Sequence, residues 1–457
     1  MWQTLFAMKV NLSLAFVLLL SIYSCSSTTH SNSASNPQPF SQILGISTHL
    51  DMCKDPLNAM DMSACTYQLQ QLKSAGVVYV RTDFTMAEIK PQQGGFAFTG
   101  YDSLVNAVLS NGMQITAILD CSTSVNQSAC SPPDTPSAVA NFTDFAYQVA
   151  LHYKGKIQRY ELWNEENTTQ FWPPAANPKA YGALLEAVYP AIKSADPNAL
   201  VAFGGVLMKS FFPSDPTGDT FLDQVLTLYP DLGHSMDAVA FHPYMNYPPS
   251  VAPDYSSSSQ LSFDQMCDNV KAVLKKHAVK KPLWITEVGW PTYQPVGEAM
   301  QARWLVRTYL EAVEQGIDTV HWYDFIDGTG CSAPVQECYF GLFNYITAPS
   351  SSTPPQPKQS FLALQTMYTV LNNAYFNQDV AQQFQLTGAR VLYFTSGSSS
   401  KKTWVFFNQH GIPPQTALLP VTGLTFYDIS GTTFTPQSAG SGYALTVTTS
   451  PVYAVKF

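Results

Sequence analysis

Charged side chains are scarce in this chain of 457 residues, since Asp, Glu, Lys and Arg together make up only 12%. The 23 Lys and Arg residues are outnumbered by 32 Asp and Glu residues, which gives a formal net charge of -9. Binding to a phosphate backbone needs clustered basic residues, so this balance argues against a nucleic-acid partner. A neutral polymer is the better match, and the chain offers 24 Tyr, 27 Phe and 8 Trp whose rings can stack on it.

Several motifs that mark well-known enzyme classes are also absent. No G-x-S-x-G elbow supports a serine nucleophile, and no Walker or Rossmann glycine motif supports nucleotide binding. The sequence contains no Cys-x-x-Cys motif and no Cys/His spacing of the kind that is typical of zinc sites. His49, His242 and His321 fall at predicted strand ends and would be the candidate metal ligands. The carboxylates described below account for the site without a metal, so we predict no metal and no cofactor.

Long apolar segments are rare as well. The run from Leu14 to Leu20 follows Lys9, precedes small polar residues from Ser24, and is too short to span a bilayer. This pattern predicts a signal peptide over residues 1–25. Residues 22–25 resemble a bacterial lipoprotein box, except that Tyr23 stands where a small residue is usual. Lipidation of Cys25 and plain cleavage nearby therefore both remain open. We expect a secreted, periplasmic or cell-surface bacterial protein, with membrane anchoring only through a lipidated Cys25.

The cysteines agree with export. Three pairs lie close in the sequence and would each close a short loop in an oxidising compartment: Cys53 with Cys65, Cys121 with Cys130, and Cys331 with Cys338. Cys267 is left over in a helix-like segment and is predicted to be a buried thiol. Residues 26–40 are rich in Ser, Asn, Thr and Pro, which predicts a flexible tether.

From residue 41 to 377, short apolar runs alternate with amphipathic stretches. The runs cover residues 43–46, 77–81, 114–119, 160–163, 200–203, 238–241, 283–285 and 319–322. The helical patterns cover residues 64–75, 101–111, 138–153, 178–194, 220–229, 263–277, 297–315 and 359–372. This order predicts an α/β fold, a (β/α)8 TIM barrel. Residues 378–457 show strand-like runs between Gly/Ser turns, which predicts a small all-β sandwich domain.

Two glutamates end apolar runs, in Leu162-Trp163-Asn164-Glu165 and in Trp284-Ile285-Thr286-Glu287. Glutamate is usually a solvated surface residue, so a pair at strand ends needs a reason. The carboxyl ends of barrel strands carry the chemistry of TIM barrels. Two carboxylates facing one cleft are what glycoside hydrolysis needs. Glu161 and Glu166 flank Glu165 and remain alternatives, although strand alternation puts Trp163 and Glu165 on one side and Glu166 on the other.

These strand ends resemble those of glycoside hydrolase clan A, the retaining (β/α)8 glycosidases, over the whole barrel. The resemblance implies that Glu165 is the acid/base and Glu287 the nucleophile. The resemblance also implies substrate-binding residues: Asn164 for the sugar 2-hydroxyl, Arg81, His242 and Tyr244 around the carboxylates, and Trp322 (or Tyr323) under the sugar. His49 and Trp163 are further candidates because they lie at strand ends. Arg81 as a structural partner of Asp83, and His242 and Tyr244 as core polar groups, are the competing interpretations.

The nearest resemblance is to family-thirty-nine-like members. It is carried by Arg81-Thr82-Asp83-Phe84, by Ile89-Lys90-Pro91 and by Phe340-Gly341-Leu342-Phe343. Such members act on xylosides, glycosaminoglycan-type sugars or bacterial exopolysaccharides. Two departures leave the substrate open: Glu166-Asn167 follows the acid/base where Pro-Asn is common, and the third strand ends in Leu119-Asp120-Cys121 rather than in His.

The predicted function is a retaining β-glycosidase that hydrolyses a polysaccharide or oligosaccharide by double displacement. We expect the two carboxyl groups to be about 5 Å apart, since the inverting mechanism needs about 9 Å. Two alternatives remain open: a carbohydrate-binding surface protein without turnover, and a transglycosylase that uses the same residues.

Overall fold

Eight parallel strands close into a barrel in the computed structural model, which describes residues 38–50, 53–54, 59–91, 95–120, 131–209, 214–245, 251–328, 335–344 and 355–457. The strands are β1 (Leu44–Ser47), β2 (Tyr79–Thr85), β3 (Gln114–Asp120), β4 (Arg159–Asn164), β5 (Leu200–Leu207), β6 (Ala238–His242), β7 (Leu283–Val288) and β8 (Thr319–Tyr323). Each strand pairs with its neighbour in sequence, and β1 pairs with β8. The predicted TIM barrel is confirmed.

The apolar runs form strands because both faces of this sheet are covered. β1 and β6 are buried along their whole length, and β3 is buried from its second residue onward. A parallel sheet between helices and a filled barrel interior favours continuous apolar runs rather than alternation. The polar residues among these runs therefore lie where the barrel needs them.

All eight predicted helices are present. They are α1 (Ala59–Ser74), α3 (Thr99–Ser110), α4 (Pro136–His152), α5 (Pro178–Ala195), α6 (Gly218–Leu228), α7 (Phe263–Lys276), α8 (Glu298–Glu314) and α9 (Gln359–Leu371), while the short α2 (Met86–Ile89) was not predicted. Thr135 and Asn177 cap α4 and α5 by accepting the N–H three residues on. Ser262 and Gln265 form a capping box at α7.

Two short strands, β9 (Phe343–Asn344) and β10 (Gln356–Pro357), pair with each other ahead of α9. The C-terminal strands form two antiparallel sheets. The six-stranded sheet has the order β11 (Ala374–Asp379), β12 (Ala389–Ser396), β13 (Lys402–Asn408), β19 (Val452–Lys456), β15 (Thr425–Tyr427), β16 (Thr433–Phe434). The three-stranded sheet has the order β14 (Gln415–Leu419), β18 (Gly442–Val447), β17 (Gln437–Ala439).

Side chains of both C-terminal sheets, among them Phe406, Ala417 and Leu445, share one apolar cluster. This arrangement agrees with the predicted small all-β region. The predicted domain boundary between residues 377 and 378 stays a prediction, and β11 runs across it.

One arginine fixes the C-terminal sheets to the barrel helices. Arg390 on β12 donates to Asp264 of α7 at 2.8 Å and to Glu314 of α8 at 2.9 Å. The Arg307 guanidinium of α8 lies 5.3 Å from the ring centre of Phe407 on β13. The strand-rich region therefore packs against the helices on the outside of the barrel, and His410 also contacts Tyr255 in the segment between β6 and α7.

Cys53 and Cys65 form a disulfide, which confirms one predicted pair. Cys267 is a buried free thiol in α7, as predicted. The predicted signal peptide with Cys25, most of the tether, the Cys121–Cys130 pair and Cys331 lie outside the described residues. Within the ranges given above, no helix is both long and apolar enough to cross a membrane.

Candidate active site

The carboxyl ends of three strands bring the two predicted catalytic residues and His242 together. Because the barrel strands are parallel, residues that follow β4, β6 and β7 meet at one end of the barrel. One ligand atom each from Glu165, His242 and Glu287 lies within 4.8 Å of the other two. Glu165 is 7% exposed and His242 is fully buried, so the cluster sits at the base of a cleft rather than on a surface.

The end of β4 is locally twisted. Trp163 and Glu165 both adopt left-handed backbone conformations, with φ of 72° and 45°. The turn at Trp163 directs its indole outward, where it packs on Trp172 and donates from Nε1 to the Phe171 carbonyl at 3.0 Å. Trp163 is 2% exposed and cannot contact a sugar. The buried position of Trp163 contradicts its predicted sugar contact.

Glu287 lies in a polar setting that favours its ionised form. Arg81 donates to its Oε1 at 2.6 Å, and the Tyr244 hydroxyl donates to its Oε2 at 2.9 Å. Burial alone would raise the pKa of Glu287, but the nearby His242, Arg81 and Tyr244 lower it below its ordinary value. This carboxylate carries its charge into the cleft.

Glu165 lies in the opposite setting. Its Oε1 is 2.9 Å from His242 Nδ1, and no arginine hydrogen-bonds to it. Burial raises the pKa of Glu165, and the charge of Glu287 raises it further, against the opposing effect of His242. Two carboxyl groups whose pKa values are pushed apart can serve as an acid and a nucleophile at one pH.

Arg81 uses every N–H of its guanidinium. Nε and Nη2 donate to the two oxygens of Glu161 at 2.8 and 2.9 Å, Nη1 donates to Ser47 and Glu287, and Nη2 also donates to Asn164 Oδ1 at 2.8 Å. The interpretation of Arg81 as a direct partner of Asp83 is wrong, since none of these bonds reaches Asp83. Arg81 therefore couples β2 to β1, β4 and β7 immediately beneath the cleft.

His242 is held from both ring nitrogens. Nδ1 meets Glu165, and Nε2 lies 3.0 Å from the Thr286 hydroxyl, which itself donates to Glu161 at 3.1 Å. A Cβ at Gly205 would fall 2.2 Å from His242 Nε2, so only glycine leaves room for the ring. Glu161, Thr286 and Gly205 were missed as site residues; only the carboxylate of Glu161, inside an apolar run, gave a signal.

The aromatic residue at the end of β8 is Tyr323 rather than Trp322. His321 points into the barrel interior, where its Nε2 lies 3.3 Å from the Thr116 hydroxyl, so alternation turns Trp322 outward and Tyr323 inward. Trp322 is fully buried and stacks on Trp290 at 5.7 Å, which excludes a sugar from its face. The predicted sugar contact of Trp322 is therefore wrong, and the rival Tyr323 lies half-buried beside the cleft.

His49 lies at the cleft edge after β1, with 55% of its side chain exposed. Its Nδ1 is 2.9 Å from Asp83 Oδ2, and its ring meets Tyr323 edge to face at 6.3 Å. Partial loss of solvent around the ring would lower the pKa of His49, but the charge and hydrogen bond of Asp83 outweigh this and raise it to about 10. His49 is thus positioned to contact a ligand and carries positive charge.

Glu166, one of the alternatives to Glu165, does not face the cleft. It is fully buried, and among the described residues neither carboxyl oxygen has a hydrogen-bond partner of good geometry. A Cβ at Gly204 would fall 2.4 Å from its Oε2, so the carboxyl lies against the β5 backbone. Burial raises the pKa of Glu166 well above its ordinary value, which favours the uncharged form.

Glu165, His242 and Glu287 form the group of His and carboxylate side chains, among the described residues, that is close enough to hold a metal ion. Their ligand atoms are hydrogen-bonded to one another or to Arg81, and that guanidinium charge opposes a cation beside Glu287. The arrangement suits proton transfer and carboxylate attack, and the predicted lack of a metal stays a prediction.

Comparison with known proteins adds independent findings. The sequence model of the family "Cellulase (glycosyl hydrolase family 5)" matches residues 33–325. A family 39 glycoside hydrolase from Bacteroides cellulosilyticus WH2 is 19% identical, with 92% of this chain and 81% of that chain covered and a TM-score of 0.71.

A monomeric beta-xylosidase from Caulobacter crescentus CB15 has 15% identity, 92% and 97% coverage of this and that chain, and a TM-score of 0.61. A glucosidase from Croceicoccus marinus has 14% identity, 93% and 97% coverage, and a TM-score of 0.62. These likenesses show a shared fold. No curated protein sequence matches the chain.

Proposed function

The chain belongs to the cellulase family, glycosyl hydrolase family 5, and from this premise we propose that it hydrolyses the β-glycosidic bonds of a polysaccharide or oligosaccharide by double displacement with retention. The observation that carries the proposal is the pair Glu165 and Glu287, which has one oxygen from each residue within 4.8 Å. Retaining enzymes hold their carboxyl groups about 5–5.5 Å apart, and inverting enzymes about 6.5–9.5 Å apart.

The roles follow from the two environments. Glu165, whose pKa is raised by burial and by Glu287, donates a proton to the glycosidic oxygen as the bond to the leaving sugar breaks. Glu287, whose charge is held by Arg81 and Tyr244, attacks the anomeric carbon and forms a glycosyl-enzyme ester. Glu165, now ionised, then takes a proton from water, which attacks the anomeric carbon and releases Glu287.

Asn164 is the candidate contact for the sugar 2-hydroxyl. Its Oδ1 accepts from Arg81, which fixes the amide orientation and leaves Nδ2 to donate to a ligand. Tyr244 is 7% exposed and places its hydroxyl on Glu287, so it supports the nucleophile directly. Tyr323 is our candidate for the wall under the sugar ring.

The decisive experiment combines a glycan screen with three variants. Glu287→Ala should lower turnover by roughly 10⁴-fold or more while the circular dichroism spectrum stays unchanged. Glu165→Ala should lower turnover by about 10²–10⁴-fold on natural glycosides. Glu186, an exposed carboxylate on α5, provides the control, and Glu186→Ala should leave activity unchanged. Undiminished activity in Glu287→Ala would reject the assignment.

The stereochemical course tests the mechanism separately. Proton NMR of the first product should show the β-anomer before mutarotation, and an α-product would refute double displacement. An aryl glycoside whose leaving group needs no proton should still form the glycosyl-enzyme with Glu165→Ala. Added azide should then accelerate release, because it attacks without needing a general base.

Two other functions have distinct outcomes in the same screen. A binding protein without turnover would retain sugar in equilibrium binding and release no product from any glycan. A transglycosylase would give mainly transfer products at high acceptor concentration. Neither has an observation of its own in the described part of the chain.

We further propose that the protein is exported, either secreted or held at the surface through a lipidated Cys25. The Cys53–Cys65 disulfide supports an oxidising location. Mass spectrometry of the mature N-terminus tests this: cleavage before Cys25 with an added lipid mass supports anchoring, cleavage nearby without lipid supports secretion, and an intact start would refute export.

A further inference from the structure

Four carboxylates outside the catalytic pair line the same cleft. Asp83 lies on β2, Asp120 ends β3, Asp324 follows β8, and Glu337 lies in the turn of residues 336–339. We call this set the acidic wall. The electrostatic influence of Asp324 and Glu337 extends to Glu287, so these groups share one local field with the nucleophile.

Strand alternation directs the first two members of the acidic wall inward. On β2, Asp83 lies two residues beyond Arg81, whose guanidinium reaches Glu287. On β3, Asp120 lies four residues beyond Thr116, whose hydroxyl meets His321 in the barrel interior. Both carboxylates therefore face the interior at the end where the strands open.

Asp120 has an unmet hydrogen-bonding capacity. It is 9% exposed, and its Oδ1 has no hydrogen-bond partner in the described part of the chain. A buried acceptor without a partner costs stability, and such a group usually has a ligand or water to satisfy it. A sugar hydroxyl is the group that this cleft would bring to it.

The nearby positive charges are already engaged. All five N–H groups of Arg81 are bound to protein acceptors. His49 is paired with Asp83, and Lys54 donates to Glu88 and Tyr101. Recognition of carboxylate or sulfate groups relies on Arg and Lys donors aimed at the ligand. Among these three side chains, a sugar anion would find only the Nε2–H of His49, whose positive charge is already balanced by Asp83 at 2.9 Å.

The pKa shifts of Asp120 and Asp324 are consistent with this. Burial and the neighbouring Asp83 raise the pKa of Asp120 well above its usual range. Burial, opposed by His49, raises the pKa of Asp324 to about 6, and Glu287 contributes to the rise. Adding a further negative charge at this place is therefore unfavourable, whether the charge belongs to the protein or to a ligand.

We propose that the acidic wall restricts the cleft to uncharged sugars, with Asp120 as a hydrogen-bonding contact for a sugar hydroxyl, and that it rejects uronic acids and sulfated sugars. This inference rests on the proposed glycosidase function and narrows its substrate class. Of the substrates that the sequence resemblance implied, it excludes the acidic glycosaminoglycan type.

The test compares whichever uncharged β-glycan is cleaved with its 6-carboxylate counterpart (for a pentose chain, the corresponding hexuronate chain). At pH 7.5 the uncharged glycan should be preferred by roughly 100-fold or more in kcat/KM, because like charges in a shared cleft repel by several kcal/mol. Added salt should narrow the preference through screening. Equal rates on both glycans would overturn the inference while leaving the glycosidase function intact, and no cleavage of any glycan would overturn both.

Two pairs of variants assign the effect to residues. Asp324→Asn removes one charge and should narrow the preference by about 10-fold at pH 7.5, whereas Asp231→Asn, an exposed change between α6 and β6, should not alter it. Asp120→Ala should raise KM on the uncharged glycan by about 10-fold, and Asp120→Asn should restore it because the amide still hydrogen-bonds. An unchanged preference in Asp324→Asn, or equal KM values in the two Asp120 variants, would contradict the assigned roles.

Discussion

Replacing Arg81 with methionine should cost much more stability than an ordinary arginine substitution. Arg81 is 1% exposed and its main partner Glu161 is fully buried, so solvent does not screen the pair. Removing one partner of a buried ion pair costs about 3–5 kcal/mol, because the other charge is left without compensation. We therefore expect Arg81→Met to lower the free energy of unfolding by roughly this amount.

A double-mutant cycle isolates the cause. Arg81→Met with Glu161→Gln removes both charges, so the double variant should be more stable than Arg81→Met alone. Tryptophan fluorescence in a urea titration gives the midpoint and slope for each variant. The half-buried Arg303 on α8 is the matched control, and Arg303→Met should change stability by less than about 1 kcal/mol.

The outcome can refute the reasoning in two ways. A loss below about 1 kcal/mol in Arg81→Met would mean that the buried pair contributes little. Additive losses in the double variant would mean that Arg81 stabilises the barrel by packing rather than by compensating Glu161. If Arg81→Met does not fold, Arg81→Lys keeps the charge and should give an intermediate loss that the same cycle can measure.

Three further predictions concern the cleft. Tyr244→Phe removes a donor that lowers the pKa of the nucleophile, so the acidic limb of the kcat/KM profile should move to higher pH, and an unmoved limb would contradict the shift. Trp322→Phe should lower the unfolding midpoint without altering KM, whereas Tyr323→Ala should raise KM with little loss of stability. The reverse pattern would show that Trp322, as first predicted, lies under the sugar. Gly205→Ala should abolish activity through collision with the histidine, whereas Gly297→Ala, where a Cβ meets nothing within 4 Å, should be neutral in the same assay.

Much of the barrel was predictable because each strand is an unbroken apolar run and each long helix has its own pattern. The meeting of Glu165 and Glu287 at one end of the barrel was also predictable, since both glutamates directly follow such runs. The orientation of Trp163 was not, because a left-handed residue at a strand end reverses the facing of its side chain and leaves no mark in the sequence. At β8 the inward-facing position was assigned one residue too early. Trp322 and Tyr323 are adjacent aromatic residues, and only the inward orientation of His321 shows that Tyr323 faces the cleft.

The network beneath the pair was harder to foresee. Glu161 and Thr286 lie within apolar strands and meet only because β4 and β7 face each other across the barrel. No short-range pattern encodes such a contact. The C-terminal sheets were predicted as strands, but their pairing order brings the last strand β19 between β13 and β15, which local sequence does not specify.

The attachment of β12 to the barrel joins parts of the chain that are far apart in sequence. Asp264 and Glu314 lie on helices that precede Arg390 in the chain by 126 and 76 residues. Burial raises the pKa of Glu314 to about 7 even though Arg390 opposes the rise. A chain that ends before β12 would therefore lack both ion pairs, and Glu314 would be left without the charge of Arg390 opposite it.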